Sequence, residues 1–229
     1  MNPHKHRRYQ LTVSRRTVRF GLLATAGLAA LASAAPAAEA AEGIGHDVGV
    51  ATDDVFSRAD AAHTVDATDS FTVHQFGPLV AAHLHNEAVA ASVACHPDRP
   101  CRSVALSFQI DTMAGTRIHL QADNTSSAEN IHCAGCETFA GAWQFVVSTP
   151  QAFRLTPAEQ ARLGTIHRQL DALTHSKLPT SEVRAQADVL AGEVTTLLQT
   201  AAAHAPQGPG TDPLGSFRPT VTVQHHFAG

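Results

Sequence analysis

An α+β domain is the fold class this sequence predicts, and three observations predict it. Residues 101–110 and 136–147 alternate large apolar and small side chains with the period of a strand. Residues 156–198 instead carry apolar side chains at helical spacing. All four cysteines of the chain fall within the strand-like part, between Cys95 and Cys136. The expected architecture is a small sheet from two related halves (about 71–150), covered by an antiparallel helical hairpin (about 156–203), with disordered termini.

Residues 1–40 read as an export signal. Arg7, Arg8, Arg15, Arg16 and Arg19 precede an apolar run from Phe20 to Leu31, and small residues follow, with cleavage expected after Ala34 or Ala40. Ser14-Arg15-Arg16-Thr17-Val18-Arg19 is similar to a twin-arginine signal, although Val18 and Arg19 stand where an aromatic residue or leucine is usual. The apolar run is too short and alanine-rich to span a bilayer comfortably, so no transmembrane segment is expected after signal removal. Removing the segment takes six basic side chains and Glu39 with it, leaving 10 basic and 19 acidic side chains and a net charge of −9. That charge repels phosphate backbones, which argues against nucleic acid and anionic lipid as partners.

Residues 41–70 are rich in Gly, Ala, Asp, His and Thr with little periodicity, and read as a flexible linker. Between Phe71 and His85, Gly77-Pro78 separates two short strands. His83 and His85 share one face of the second, a spacing that can hold copper or zinc but is also common on a wet sheet face.

The next stretch contains one design twice. A shift of 38 residues aligns Asn86 with Asn124, Ala90 with Ala128, Val93 with Ile131 and Cys95 with Cys133. After the second cysteine the shift falls to 35, and Cys101, Ser103, Ala105, Ser107 and Gln109 match Cys136, Thr138, Ala140, Ala142 and Gln144. On the opposite faces lie Val104, Leu106, Phe108 and Ile110 in one copy, and Phe139, Trp143, Phe145 and Val147 in the other. Each strand thus has a large apolar face for a covering layer and a small, semi-polar face for close packing. The two strands are expected to pair in one sheet, with Gln109 and Gln144 as buried structural amides bonded to backbone or to each other. Residues 116–122 supply a further strand.

Thr156-Pro157-Ala158-Glu159 has a cap residue, proline at the first helical position and glutamate at the third, so a helix starts there. Leu163, Ile166, Leu170 and Leu173 line its apolar face. Leu178-Pro179 ends the run, and Thr180 or Ser181 is expected to cap a second helix with Val183, Ala187, Leu190, Val194, Leu197 and Leu198 as its stripe. Residues 204–229, rich in Pro and Gly, read as a disordered tail in which Thr220 to Val223 has the pattern of an edge strand.

Three chemistries fit the cysteines. An even number in an exported chain points first to disulfides, and Cys95–Cys101 with Cys133–Cys136 follow the repeat. Alternatively, all four thiolates converge on one zinc, with His96 and His132, and more remotely His83 and His85, as further ligands. Third, His132-Cys133-Ala134-Gly135-Cys136 has the Cys-x-x-Cys spacing of thiol–disulfide enzymes, but strand-like residues follow where such enzymes need a helix. No nucleophile elbow, zinc-protease or phosphate-loop motif is present, so no catalytic residue is assigned.

The repeated Cys-x-x-Cys-x-Thr-x-Ala-x-Ala-x-Gln pattern, with its upstream asparagine, resembles a group of exported bacterial proteins of no known activity. The resemblance covers residues 86–147 and implies export and a small-domain fold. The expectation is therefore an exported, disulfide-stabilised, non-enzymatic interaction module of the cell envelope or extracellular space, with a protein or envelope partner and no cofactor. Zinc or copper binding is the alternative, and a thiol–disulfide oxidoreductase at Cys133 and Cys136 the third.

Overall fold

The computed structural model describes residues 48–115, 117–206 and 220–228, and they form a mixed α+β fold. Six long strands alternate between two sheets: β1 (Val48–Asp60), β3 (Ala81–Val93) and β5 (His119–Ile131) form the first, β2 (Val65–Pro78), β4 (Arg102–Ala114) and β6 (Glu137–Thr149) the second. All pairings among these six are parallel, so the chain winds through three turns of a flattened coil. A seventh strand, β7 (Thr220–Ala228), closes the second sheet antiparallel to β6. Helices α1 (Pro157–Thr174) and α2 (Thr180–Ala203) pack on the outer face of the second sheet and on each other.

The single small sheet expected over 71–150 is thus two sheets. Each aligned copy crosses from one sheet to the other at its cysteine-bearing turn, so it contributes a strand to both. Asn86 pairs with Asn124 in the first sheet and Gln109 with Gln144 in the second. The offsets of 38 and 35 residues found in the sequence are therefore the registers of two separate ladders. A third turn precedes them: Asp53 pairs with Asn86, and Thr72 with Gln109.

That first turn corrects the linker expected at 41–70. Residues 48–60 and 65–70 lie in strands, while residues 41–47 and the export signal at 1–40 fall outside the described residues. The inward side chains of β1 are Gly49, Ala51, Asp53, Val55, Ser57 and Ala59, small because two sheets close directly on one another there. Small residues inside and Val50 or Phe56 outside invert the usual strand signature, which hides the strand. β2 runs through Gly77 to Pro78, where a break was expected, and both it and β3 are far longer than the two short strands expected there.

Between the sheets the layer is narrow and mostly alanine, with Ala88, Ala90, Ala105, Ala140 and Ala142 buried. The hydroxyls of Ser57 and Ser103 meet across it at 2.8 Å, and those of Ser92 and Thr138 at 2.6 Å. The larger core lies on the other side of the second sheet. There Val104, Leu106, Phe108, Ile110, Trp143 and Phe145 meet Leu163, Ile166, Leu170, Val183, Val194 and Leu198 of the helices. Packing of this amphipathic face, rather than intrinsic propensity, accounts for most of the helical stability.

Thr156 caps α1 as a capping box: its hydroxyl accepts from the Glu159 N–H, and the Glu159 carboxylate accepts from the Thr156 N–H at 2.7 Å. For α2, by contrast, the cap position belongs to Pro179 with no side-chain bond, and Thr180 is the first helical residue. The proline supplies the turn that a hydroxyl was expected to make. The tail expected at 204–229 is also partly ordered, since β7 takes up nine of its residues. β7 finds a partner in the otherwise open edge of β6, and its Phe227 packs on Trp143 at 5.1 Å under the Arg184 guanidinium. Residues 207–219 lie outside the described residues.

Candidate functional site

The four cysteines meet at one corner of the coil. Ala94 and His132, each just after a strand of the first sheet, both take left-handed φ values, 53° and 51°. Each is the turning residue that starts a cysteine-bearing crossing, uncommon for a non-glycine residue. Cys95 and Cys101 lie at disulfide-bonding distance with Cα atoms 5.9 Å apart, as do Cys133 and Cys136 at 5.7 Å. The two crossings are layered, because the Cys101 N–H donates to Cys136 Sγ at 3.0 Å and the Glu137 N–H to the Cys101 carbonyl. All four sulfurs fall within 4.8 Å of one another, and Ala59 of the first turn shares their buried cluster.

Neither neighbouring histidine belongs to that group. His96 is exposed and faces Asp98 at 3.3 Å, and His132 is exposed. After Cys136 the chain enters β6 directly. The pair therefore lacks the helix N-terminus that lowers a thiol pKa in thiol–disulfide enzymes.

The two glutamines lie in the interlayer. Gln144 donates its amide to the Gln109 side-chain carbonyl at 2.6 Å, and Gln109 donates to the Asp53 carboxylate at 2.6 Å and to the His85 carbonyl at 2.9 Å. An asparagine ladder runs beside them: Asn86 donates to Asn124 at 2.8 Å, and Asn124 to the backbone carbonyls of Ala142 and Gln224. The Ser107 hydroxyl donates to Asn86 Oδ1 at 2.5 Å. In-register amide columns of this kind hold parallel turns together.

Asp53 heads the asparagine column and is the acidic centre of a small network. Burial pushes its pKa up, but hydrogen bonds from His74, Gln109 and Thr72, with the His74 charge, outweigh this and hold it below the usual carboxylate range. His74 lies 2.9 Å from the same oxygen; that bond raises its pKa, burial opposes, and the charges of Asp53 and Asp111 add to the rise. Asp111, the register partner of His74, is fully buried, and neither carboxylate oxygen has a hydrogen-bond partner among the described residues. Burial pushes its pKa up to about 7, with His74 opposing and Asp53 reinforcing the rise.

The outer face of the first sheet is where His83 and His85 point. His83 Nδ1 lies 3.1 Å from the Gln121 side-chain oxygen. His85 Nε2 lies 3.5 Å from Asp54 Oδ1 and 3.9 Å from Glu87 Oε2. Asp54, His85 and Glu87 present their ligand atoms within 4.8 Å of one another, whereas His83 stands outside that group. Asp54 and Glu87 were missed in the sequence because Asp54 lies in the stretch read as linker. Only the β1–β3 register brings it beside Glu87.

Elsewhere, an open groove between the helices, lined by Ala158, Arg162, Val189, Glu193 and Leu197, is crossed by an Arg162–Glu193 ion pair at 2.6 Å and gathers no acid–base set. No helix among the described residues is long and apolar enough to cross a membrane. Compared with protein-family models, curated proteins and solved structures, the chain matches none.

Proposed function

We propose that this chain is an exported, disulfide-stabilised domain with a non-enzymatic role, an interaction module of the cell envelope or extracellular space. The observation that carries this reading is an asymmetry between the two sheets. The second sheet is covered by two helices, which we read as an antiparallel hairpin, while among the described residues no element covers the outer face of the first sheet. Parallel sheets ordinarily have both faces covered, so an uncovered one is a surface free for a partner. Val50 and Phe56 are 66% and 57% exposed on it, among carboxylates and histidines. Phe56 supplies the aromatic contact that partner surfaces favour.

The test replaces Phe56→Arg on the bare face and Val189→Arg on the helical face, and measures how exported protein divides between washed cells and medium. Release of the first variant alone, with unchanged thermal stability, supports docking through the bare face. Equal division of wild type and both variants overturns it.

One observation favours a second reading, zinc at the four cysteines. Tetrahedral thiolates at a Zn–S distance of about 2.3 Å stand about 3.8 Å apart, and these sulfurs already share a cluster within 4.8 Å. Native and denaturing mass measurement with a thiol count separates the readings. A mass lower by four hydrogens without metal supports two disulfides; four free thiols retaining one zinc supports the metal.

A further inference from the structure

We propose that the outer face of the first sheet carries a divalent transition-metal site formed by Asp54, His85 and Glu87. The residues come from adjacent strands in a fixed register. Asp54 is the Cα partner of Glu87, on the same outward face, and His85 stands two residues before Glu87 on β3. Like charges set directly opposite across a ladder repel, and strand spacing of about 4.8 Å keeps them close. A cation between them removes that repulsion.

The distances suit an ion. Ligands held tetrahedrally at about 2.0–2.1 Å stand about 3.3 Å apart. His85 Nε2 already lies 3.5 Å from Asp54 Oδ1 and 3.9 Å from Glu87 Oε2. All three ligand atoms lie within 4.8 Å of one another, on side chains that are 39–60% exposed and so have room to turn toward an ion. β3, which carries His85 and Glu87, is the central strand of its sheet and is paired on both sides, and Asp54 comes from the edge strand β1 in register with it.

The donor set names the metal class. One imidazole nitrogen with two carboxylates suits zinc and its first-row neighbours, while calcium and magnesium prefer oxygen ligands alone. Solvent completes the coordination, since the site opens outward. The surrounding face favours a cation as well. Asp54, Asp60, Glu87, Asp123 and Glu129 point outward from the three strands against Arg58 as the one strongly basic residue. Asp123 is the register partner of His85 on β5 and adds negative charge on its other side. The site uses none of the cysteines and stands independently of whether the face docks a partner.

The test is calorimetric titration of zinc into the purified full-length chain with both disulfides oxidised, which silences the cysteine corner. Histidine resonances are followed by NMR in parallel. Wild type is expected to bind one zinc that shifts the His85 ring signals. His85→Ala and Glu87→Gln are each expected to weaken binding at least ten-fold, while His204→Ala, at the end of α2, leaves it unchanged. Calcium is expected to leave the His85 signals in place. Zinc binding that persists undiminished in His85→Ala overturns the site, and so does wild type that binds no zinc at millimolar concentration. All three side chains are partly exposed and none belongs to the core, so circular dichroism is expected to show the variants folded.

Discussion

Gln144 donates its side-chain amide to the side-chain carbonyl of Gln109 at 2.6 Å, between residues paired in adjacent turns of the coil. Gln109 passes the bond on, through its own amide, to Asp53 and to the His85 carbonyl in the opposite sheet. One side chain thus ties three turns and two layers. Gln109→Met keeps the shape but leaves the Gln144 amide, the Asp53 carboxylate and a buried carbonyl short of a partner. An unsatisfied buried group costs about 1–3 kcal/mol, so a loss of at least about 2 kcal/mol is expected in urea unfolding. A loss under 0.5 kcal/mol, taken as roughly the error of such a comparison, would remove the amide column as a stabilising feature.

Asp111 makes stability fall as pH rises. Its folded pKa, about 7, lies above its ordinary value of 3.8, because burial without a hydrogen bond favours the neutral acid. Between these two values the folded state holds a proton that the unfolded chain has released, so raising the pH favours unfolding across that window. Asp111→Asn removes the cost at no change in size. Its melting temperature is expected to match wild type near pH 4, rise above it through pH 5 and 6, and hold a constant gain above pH 7. His74 contributes in the same direction, since its raised pKa gives stability that is lost as pH climbs through it. An Asp111→Asn gain that does not vary with pH would show that the carboxyl is solvated in the folded protein.

Gly141 is the one gap in the apolar face of β6, and it is there for Trp143. A Cβ at Gly141 would stand 2.7 Å from both Cη2 and Cζ3 of that ring. The indole has no easy retreat, because Phe108 and Phe227 hold it at 4.8 and 5.1 Å and its N–H donates to Asp188 at 3.2 Å. Gly141→Ala is expected to cost about 1–3 kcal/mol, the usual penalty for overpacking. Trp143 is the only tryptophan in the chain, so its emission reports the displaced ring directly. An unshifted spectrum with full stability would contradict the close approach.

Short crossings give short disulfide loops, spanning six and three residues of sequence separation. Loop entropy then limits each bond to about 2 kcal/mol. The double variant Cys95→Ser with Cys101→Ser is expected to lose about that much while keeping its far-ultraviolet spectrum, because the ladders on either side persist. Complete unfolding at 25 °C would assign the corner a larger share of the stability than its geometry implies.

What the sequence determined by itself is local. Alternation assigned Val104, Leu106, Phe108 and Ile110 to one face and Ser103, Ala105, Ser107 and Gln109 to the other, because side chains on a strand have a period of two whatever lies beyond. Thr156 and Glu159 set the start of α1, since a cap needs only its own first turn. Pairs separated by 38 and 35 residues were legible because stacked turns place like residues over like. Which sheet each strand joins depends on how the chain crosses at 94–101 and 132–136, and no local pattern records that. The strand at 48–60 needed the same knowledge: its inward residues are small because a second sheet lies against them, and without that sheet they read as solvated linker. Asp54, His85 and Glu87 became one cluster only through the β1–β3 register. Buried Asp111 likewise takes its character from the layer closing over it, because desolvation belongs to the packed molecule rather than to any stretch of its sequence.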